Sequence, residues 1–253
     1  MKENYIQKNY SSLINSFKSI NFNVAYMVFY DILFIAISAL LMNFSYNYIA
    51  DRSNDVNLPS TIAQVGEQQA QQILGQIRGF YFLLILTPII IFLLLTIFWS
   101  LFKGLNWSIA LKKKFDLKYL KKFTLLNLAW FLILSLLIFL ASTGTKQNVT
   151  PIFILVIILI AVHLTNILYV LFTQESSLKA VKKTFKMAIT KIHYFILPYA
   201  VIALFLYIIF TLVPRLNLQQ KPSIIISILG YTIIFAWSRL YLAEVVNSIK
   251  LKN

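Results

Sequence analysis

The chain has no cysteine among its 253 residues. Disulfide frameworks, thiolate nucleophiles and Cys-ligated metals are thereby excluded. Its two histidines, His163 and His193, form no HExxH or other zinc constellation. Glycine and proline number six each, and no Walker loop or Gly-x-Ser-x-Gly elbow occurs. Acidic residues are scarce, 8 against 23 Lys and Arg, and no carboxylate pair suits general acid–base chemistry. The expectation is a protein that is not an enzyme and carries no cofactor or metal.

Apolar side chains are abundant. Hydrophobic residues make up 59% of the chain, charged residues 12%, and mean hydropathy is +0.77. Soluble domains average about 45–50% apolar and about 25% charged, so the composition specifies a polytopic membrane protein. Six runs reach the roughly 20 residues that a helix needs to cross a 30 Å hydrocarbon core. They are Phe22 to Met42, Phe80 to Phe102, Thr124 to Ala141, Pro151 to Phe172, Tyr194 to Pro214 and Ile224 to Val246. Runs such as Ile89 to Leu95 are apolar on every side, as a lipid-facing helix is and an alternating barrel strand is not. The polar segment ahead of the first run and the length of that run argue against a cleaved signal.

The basic residues divide by loop. Seventeen lysines lie in the N-terminal segment, the second and fourth loops and the tail, against five Lys and Arg in the alternate loops. By the positive-inside rule both termini and the two long lysine-rich loops are cytoplasmic.

A weak periodicity runs through these loops. Ala110-Leu111-Lys112-Lys113-Lys114-Phe115 aligns with Ala180-Val181-Lys182-Lys183-Thr184-Phe185 at an offset of 70. Ser16-Phe17-Lys18 aligns with Lys114-Phe115-Asp116 and Thr184-Phe185-Lys186. The pattern predicts an all-α fold in which one integral membrane domain, residues 1–253, contains three units, approximately 3–102, 103–173 and 174–246. Each unit is a cytoplasmic amphipathic helix followed by a transmembrane hairpin. At 100° per residue, Leu178, Val181, Phe185, Ala188, Ile189 and Ile192 share an arc of about 100° opposite Lys179, Lys182, Lys183 and Lys186. Ile6, Tyr10, Leu13, Ile14 and Phe17 do likewise at the N-terminus. The middle segment, Ile109 to Phe123, is less regular, with a break expected near Asp116.

Such helices lie in the membrane interface, with lysines meeting anionic headgroups for about 1 kcal/mol each near the surface. Lys112, Lys113, Lys114, Lys182, Lys183 and Lys186 are therefore candidate anionic-lipid contacts; the plainer reading is that they only set topology. An acidic protein partner or a second copy of the chain is the alternative occupant. Nucleic acid is not expected, because the seventeen lysines include none of the Arg forks that specific recognition uses.

The segment Gln174-Glu175-Ser176-Ser177-Leu178-Lys179-Ala180-Val181-Lys182-Lys183-Thr184-Phe185, running into Ile196-Leu197-Pro198, resembles a pattern in prokaryotic six-span membrane proteins. These include the membrane domain fused to some glycerophosphoryl diester phosphodiesterases. Glu175, Ala180, Lys182, Lys183 and Thr184 are the matching positions. The resemblance implies a membrane domain of a prokaryotic cytoplasmic membrane with a role tied to lipid or envelope processes. It carries over no catalytic residue.

Charges inside a bilayer cost about 2.5–3.5 kcal/mol on insertion scales and mark functional candidates. At 1.5 Å per residue, Asp31, His163, Asn166 and Arg239 all fall roughly 9–13 Å from the cytoplasmic boundary. They form a candidate polar cluster in which Asp31 pairs with Arg239; the plainer reading is a pair that fixes helix register. Two functions follow. The first is a non-enzymatic lipid-interacting or scaffold component of the envelope. The alternative is a small transporter or channel using the cluster, which the scarcity of Gly and Pro inside the spans disfavours. The long loop from Asn43 to Gly79 is expected to hold a helix capped by Ser60 and running through Ile62, Gln64, Val65, Glu67, Ile73 and Gln76 into the second span.

Overall fold

The computed structural model describes residues 5–54, 66–216 and 219–250. Eight helices account for nearly all of them: α1 Tyr5–Lys18, α2 Phe22–Asn54, α3 Glu67–Ala110, α4 Leu117–Gly144, α5 Thr150–Glu175, α6 Lys179–Thr190, α7 His193–Arg215 and α8 Gln220–Lys250. Six of these, α2, α3, α4, α5, α7 and α8, are long and apolar enough to cross a membrane. The protein is a multi-pass, all-α membrane protein, and α1 and α6 are its two short amphipathic helices.

Helix ends follow local chemistry. Asp116 caps α4, accepting the backbone N–H of Tyr119 at 2.7 Å. Pro151 sits in the first turn of α5, where its missing N–H costs nothing. That helix stops at Ser176, whose left-handed φ of 47° lets its N–H return to the Phe172 carbonyl at 2.7 Å.

Two helices extend furthest beyond the apolar runs. The second, α2, continues past Met42 to Asn54, and α3 begins at Glu67 and runs without interruption to Ala110. Ile73 and Gln76 are therefore helical as expected, whereas Ser60, Ile62, Gln64 and Val65 lie outside the described residues. Lys103, expected in a loop, is inside α3.

The middle amphipathic segment differs from its counterparts. No separate helix forms there: residues up to Ala110 belong to α3, 111–116 form a turn, and α4 starts at Leu117. The position that aligns with Ser176, the left-handed stop of α5, is Asn106, which is fully buried within α3. With no stop there, α3 continues and absorbs the segment.

The chain divides into two compact units, Leu33–Trp99 and the pair of segments Met1–Ile32 and Ser100–Asn253. In the first unit Phe34 of α2 meets Trp99 of α3 edge to face at 5.3 Å. Leu40, Phe44, Tyr81, Phe82 and Ile85 are exposed, an apolar surface that lipid, not water, accommodates.

The larger unit is centred on the second halves of α5 and α8. Ile167 to Thr173 and Ala236 to Ala243 are buried throughout, and α8 packs against α1, α5 and α7. This span is the least hydropathic of the six. Its second half is packed against protein, so it can carry Ser238, Arg239, Glu244 and Asn247.

Candidate functional site

In the larger unit Asp31, 4% exposed, is surrounded by donors from two other helices. Lys103 Nζ donates to its Oδ1 at 2.8 Å and Asn106 Nδ2 to the same oxygen at 2.9 Å. From α8, Arg239 Nη2 reaches Oδ1 at 3.0 Å and lies 2.8 Å from Oδ2. Two cations and one carboxylate leave a net positive charge in a largely buried site. The Arg239 Nη1 and Asn106 Oδ1 atoms are buried without a hydrogen-bond partner among the described residues. The spacing of Lys103 and Asn106, three residues apart, puts both on one face of α3. That spacing is legible in the sequence once α3 is known to run past Phe102.

His163 makes its hydrogen bonds elsewhere, and neither it nor Asn166 bonds to the Asp31 group. His163 Nδ1 lies 2.9 Å from the Tyr199 hydroxyl, and its Nε2 lies 3.3 Å from the Ala188 carbonyl. These bonds tie α5 to α6 and α7, while Asp31 and Arg239 tie α2 to α8 with α3 between them. The four candidates thus divide into a charged group and a neutral one. A third polar set links α3, α4 and α5: Asn127 Nδ2 donates to Ser100 Oγ at 2.9 Å, and the Tyr169 hydroxyl donates to Asn127 Oδ1 at 2.5 Å.

The amphipathic helices present three faces, not two. Ala180, Thr184 and Ala188 of α6 are buried, forming a small-residue stripe, and α6 packs on α5. Leu178, Phe185, Ile189 and Ile192 are exposed, at 73% for Ile189. Lys179, Lys182, Lys183 and Lys186 occupy the remaining sector and are exposed as well. In α1 the buried residues are Lys8, Asn9, Ser12 and Ser16, whereas Ile6, Tyr10 and Phe17 are exposed. At an offset of 168, Ser12 aligns with Ala180, Ser16 with Thr184 and Phe17 with Phe185. Burial follows that alignment: the small residues are covered, and the two phenylalanines are 46% and 43% exposed.

Several lysines have protein partners. Lys183 Nζ donates to Glu175 Oε1 at 2.8 Å across the α5–α6 turn. Lys122 Nζ donates to the Ser176 carbonyl at 3.2 Å and Lys8 Nζ to the Ser248 carbonyl at 3.3 Å, placing cations at the C-terminal ends of α5 and α8. Lys182 and Lys186 are exposed on α6 and Lys112, Lys113 and Lys114 on the α3–α4 turn.

That turn borders a cavity of about 520 Å³ at one end of the bundle. Met27, Leu240 and Ala243 form apolar walls, and Lys112, Lys113 and Glu244 supply charge. Gln174 Nε2 donates to Asn247 Oδ1 at 2.7 Å along the same lining. Lys112 is held there by a left-handed backbone, φ 53°. The Lys113 N–H returns to the Ser108 carbonyl at 2.8 Å and the Lys112 N–H to the Ile109 carbonyl at 3.1 Å, closing α3 in the way usually assigned to glycine. A side chain in this conformation costs about 1–2 kcal/mol. Neither Glu244 nor the cavity was foreseen from the sequence; the cue was a carboxylate and an amide three residues apart at the end of the sixth span.

No group of three His, Cys, Asp or Glu side chains comes together as a metal set among the described residues. Compared with family models, curated proteins and solved structures, the chain matches none. The structure defines the class, a six-span integral membrane protein with two docked amphipathic helices.

Proposed function

We propose that this chain is a non-enzymatic, lipid-interacting component of a prokaryotic cytoplasmic membrane, with both termini and the lysine-rich segments on the cytoplasmic side. The observation that carries the reading is the three-faced build of α6. One face is docked on the bundle by small residues, a second leaves Ile189 and Phe185 exposed, and the third carries lysines. A helix held this way beside a bundle presents apolar side chains to acyl chains and ammonium groups to anionic headgroups. In α1 the covered small residues and the exposed Phe17 recur in the same order, while Lys18 alone matches the α6 lysines.

The transporter alternative is the weaker one. It needs Asp31, His163 and Arg239 around one path, and the hydrogen bonds of His163 go to Tyr199 and Ala188 instead.

Native mass spectrometry of the full chain released in mild detergent tests the reading. Phosphatidylglycerol adducts are expected on the wild type and should fall at least threefold in Lys182→Gln/Lys186→Gln, a variant that leaves the Glu175–Lys183 pair intact. Equal adduct levels in both proteins would leave these lysines as topology signals and overturn the reading.

A further inference from the structure

The cavity beside the α3–α4 turn contains more chemistry than an interfacial lysine patch requires. Its charged residues have opposite signs: Lys112 and Lys113 belong to the turn closing α3, and Glu244 to the last turns of α8. The amides of Asn21 and Asn23 add hydrogen-bonding groups from the start of α2. A simple anion would use the two ammonium groups and meet repulsion from the carboxylate. A simple cation would meet the reverse. A ligand that satisfies both carries a negative and a positive group a few bonds apart.

Position and size narrow the class. The lining comes from the ends of α2, α3, α5 and α8, and Met27, on its wall, lies one turn from Asp31. Asp31 lies inside the span that starts at Phe22, so the lining sits toward the end of the bundle that the proposed function places at the cytoplasmic headgroups. A volume of about 520 Å³ lies within the range of about 300–1,000 Å³ typical of small-molecule sites. Quaternary ammonium groups are recognised by aromatic cages, and no described residue lining the cavity is aromatic. A primary ammonium, which donates three hydrogen bonds, suits Glu244 and the amides better.

We propose that this cavity binds a phosphate ester that also bears a primary ammonium, the chemistry of a phosphoethanolamine headgroup, with Lys112 and Lys113 on the phosphate and Glu244 on the ammonium. The proposal rests on the lipid-interacting reading and adds a second, selective site to it. The left-handed backbone at Lys112 provides an unusual control. Lys112→Gly removes an ammonium while placing glycine where the backbone favours it, so this variant should fold at least as well as the wild type.

The test is native mass spectrometry of the delipidated full chain in mild detergent, offered phosphatidylethanolamine and phosphatidylcholine with identical acyl chains. The wild type should retain phosphatidylethanolamine at least fivefold over phosphatidylcholine. Lys112→Gly/Lys113→Gln should lose that retention while melting no lower, and Glu244→Gln should bring the ratio close to one. Excess glycerophosphoethanolamine that displaces the lipid would support the same chemistry from a soluble source; failure to displace it, with the lipid preference intact, would assign the site to the lipid. Equal retention of the two lipids by the wild type, or unchanged preference in the double lysine variant, would overturn the proposal. Lys182→Gln/Lys186→Gln separates the two readings: loss of phosphatidylglycerol adducts without any phosphatidylethanolamine preference sinks the cavity site and leaves the broader reading standing.

Discussion

Arg239 of α8 and Asp31 of α2, 208 residues apart in sequence, meet with Nη2 at 2.8 Å from Oδ2. They do not meet alone, because Lys103 Nζ is also 2.8 Å from the same carboxylate. Asp31 is thus a single anion holding two cations in the interior. This asymmetry, invisible in a simple ion pair, ranks the consequences of removing each member.

Asp31→Asn removes the carboxylate that Lys103 and Arg239 share, and breaking buried pairs costs about 3–5 kcal/mol. Arg239→Gln leaves Asp31 still bound by Lys103 and Asn106, so its cost should be about half as great. Exchanging the partners, Asp31→Arg with Arg239→Asp, should rescue poorly, because the new arginine on α2 faces Lys103. Adding Lys103→Gln to that exchange should recover much of the loss. Melting in detergent, followed by fluorescence-detected size exclusion, gives the order; a simple exchange as stable as the wild type would mean that Lys103 does not contribute.

Gly104 marks a second close approach. A Cβ placed there would lie 3.2 Å from the Phe115 ring and 3.3 Å from the rings of Tyr119 and Phe123. Three aromatic side chains cannot all withdraw at once, so Gly104→Ala should cost about 1–3 kcal/mol, as overpacking does. At Gly230 the single close neighbour is Cδ1 of Ile209 at 2.6 Å, the mobile end of one side chain. Gly230→Ala should therefore be milder. The pair of melting temperatures checks this, and an equal or reversed order would contradict it.

The spans were legible because lipid imposes a length and an all-round apolarity that no soluble core requires. The Asp31–Arg239 contact followed from the cost of isolated charge in a membrane. Lys103 escaped because a lysine immediately past an apolar run looks like a topology signal, and only the continuation of α3 to Ala110 brings it to Asp31. His163 and Asn166 were at the right depth but on a different face of the bundle, and depth along a helix says nothing about rotation around it. In α6 two classes of residue could be read, apolar and basic. The third face consists of Ala180, Thr184 and Ala188, and small residues give little amphipathic signal while allowing the closest helix contacts.

That third face has its own consequence. Thr184→Leu and Ser16→Leu place bulk where Thr184 is 2% exposed and Ser16 is fully buried, so α6 or α1 should undock. Ile189→Ser, at an exposed position, should leave docking intact while weakening membrane contact. Amide hydrogen exchange of 179–190 and 5–18 distinguishes them: protection should fall about tenfold or more in the leucine variants and change little in Ile189→Ser. Unchanged protection in Thr184→Leu would show that α6 is not held by this stripe.

The absence of cysteine makes orientation directly measurable, since any thiol introduced is the only one present. Lys114, Lys186, Arg52 and Gln147 are exposed on described segments, and substituting each by cysteine in turn samples both ends of the bundle. The seventeen-to-five distribution of basic residues predicts that Lys114→Cys and Lys186→Cys are protected from a membrane-impermeant maleimide in intact cells and react only after the membrane is opened. Arg52→Cys and Gln147→Cys should react at once. The reverse pattern would put the lysine-rich ends outside. It would also remove the cytoplasmic placement on which anionic-lipid contact through α6 depends, because the positive-inside rule and the attraction of lysines to an anionic leaflet both refer to the same side of the membrane.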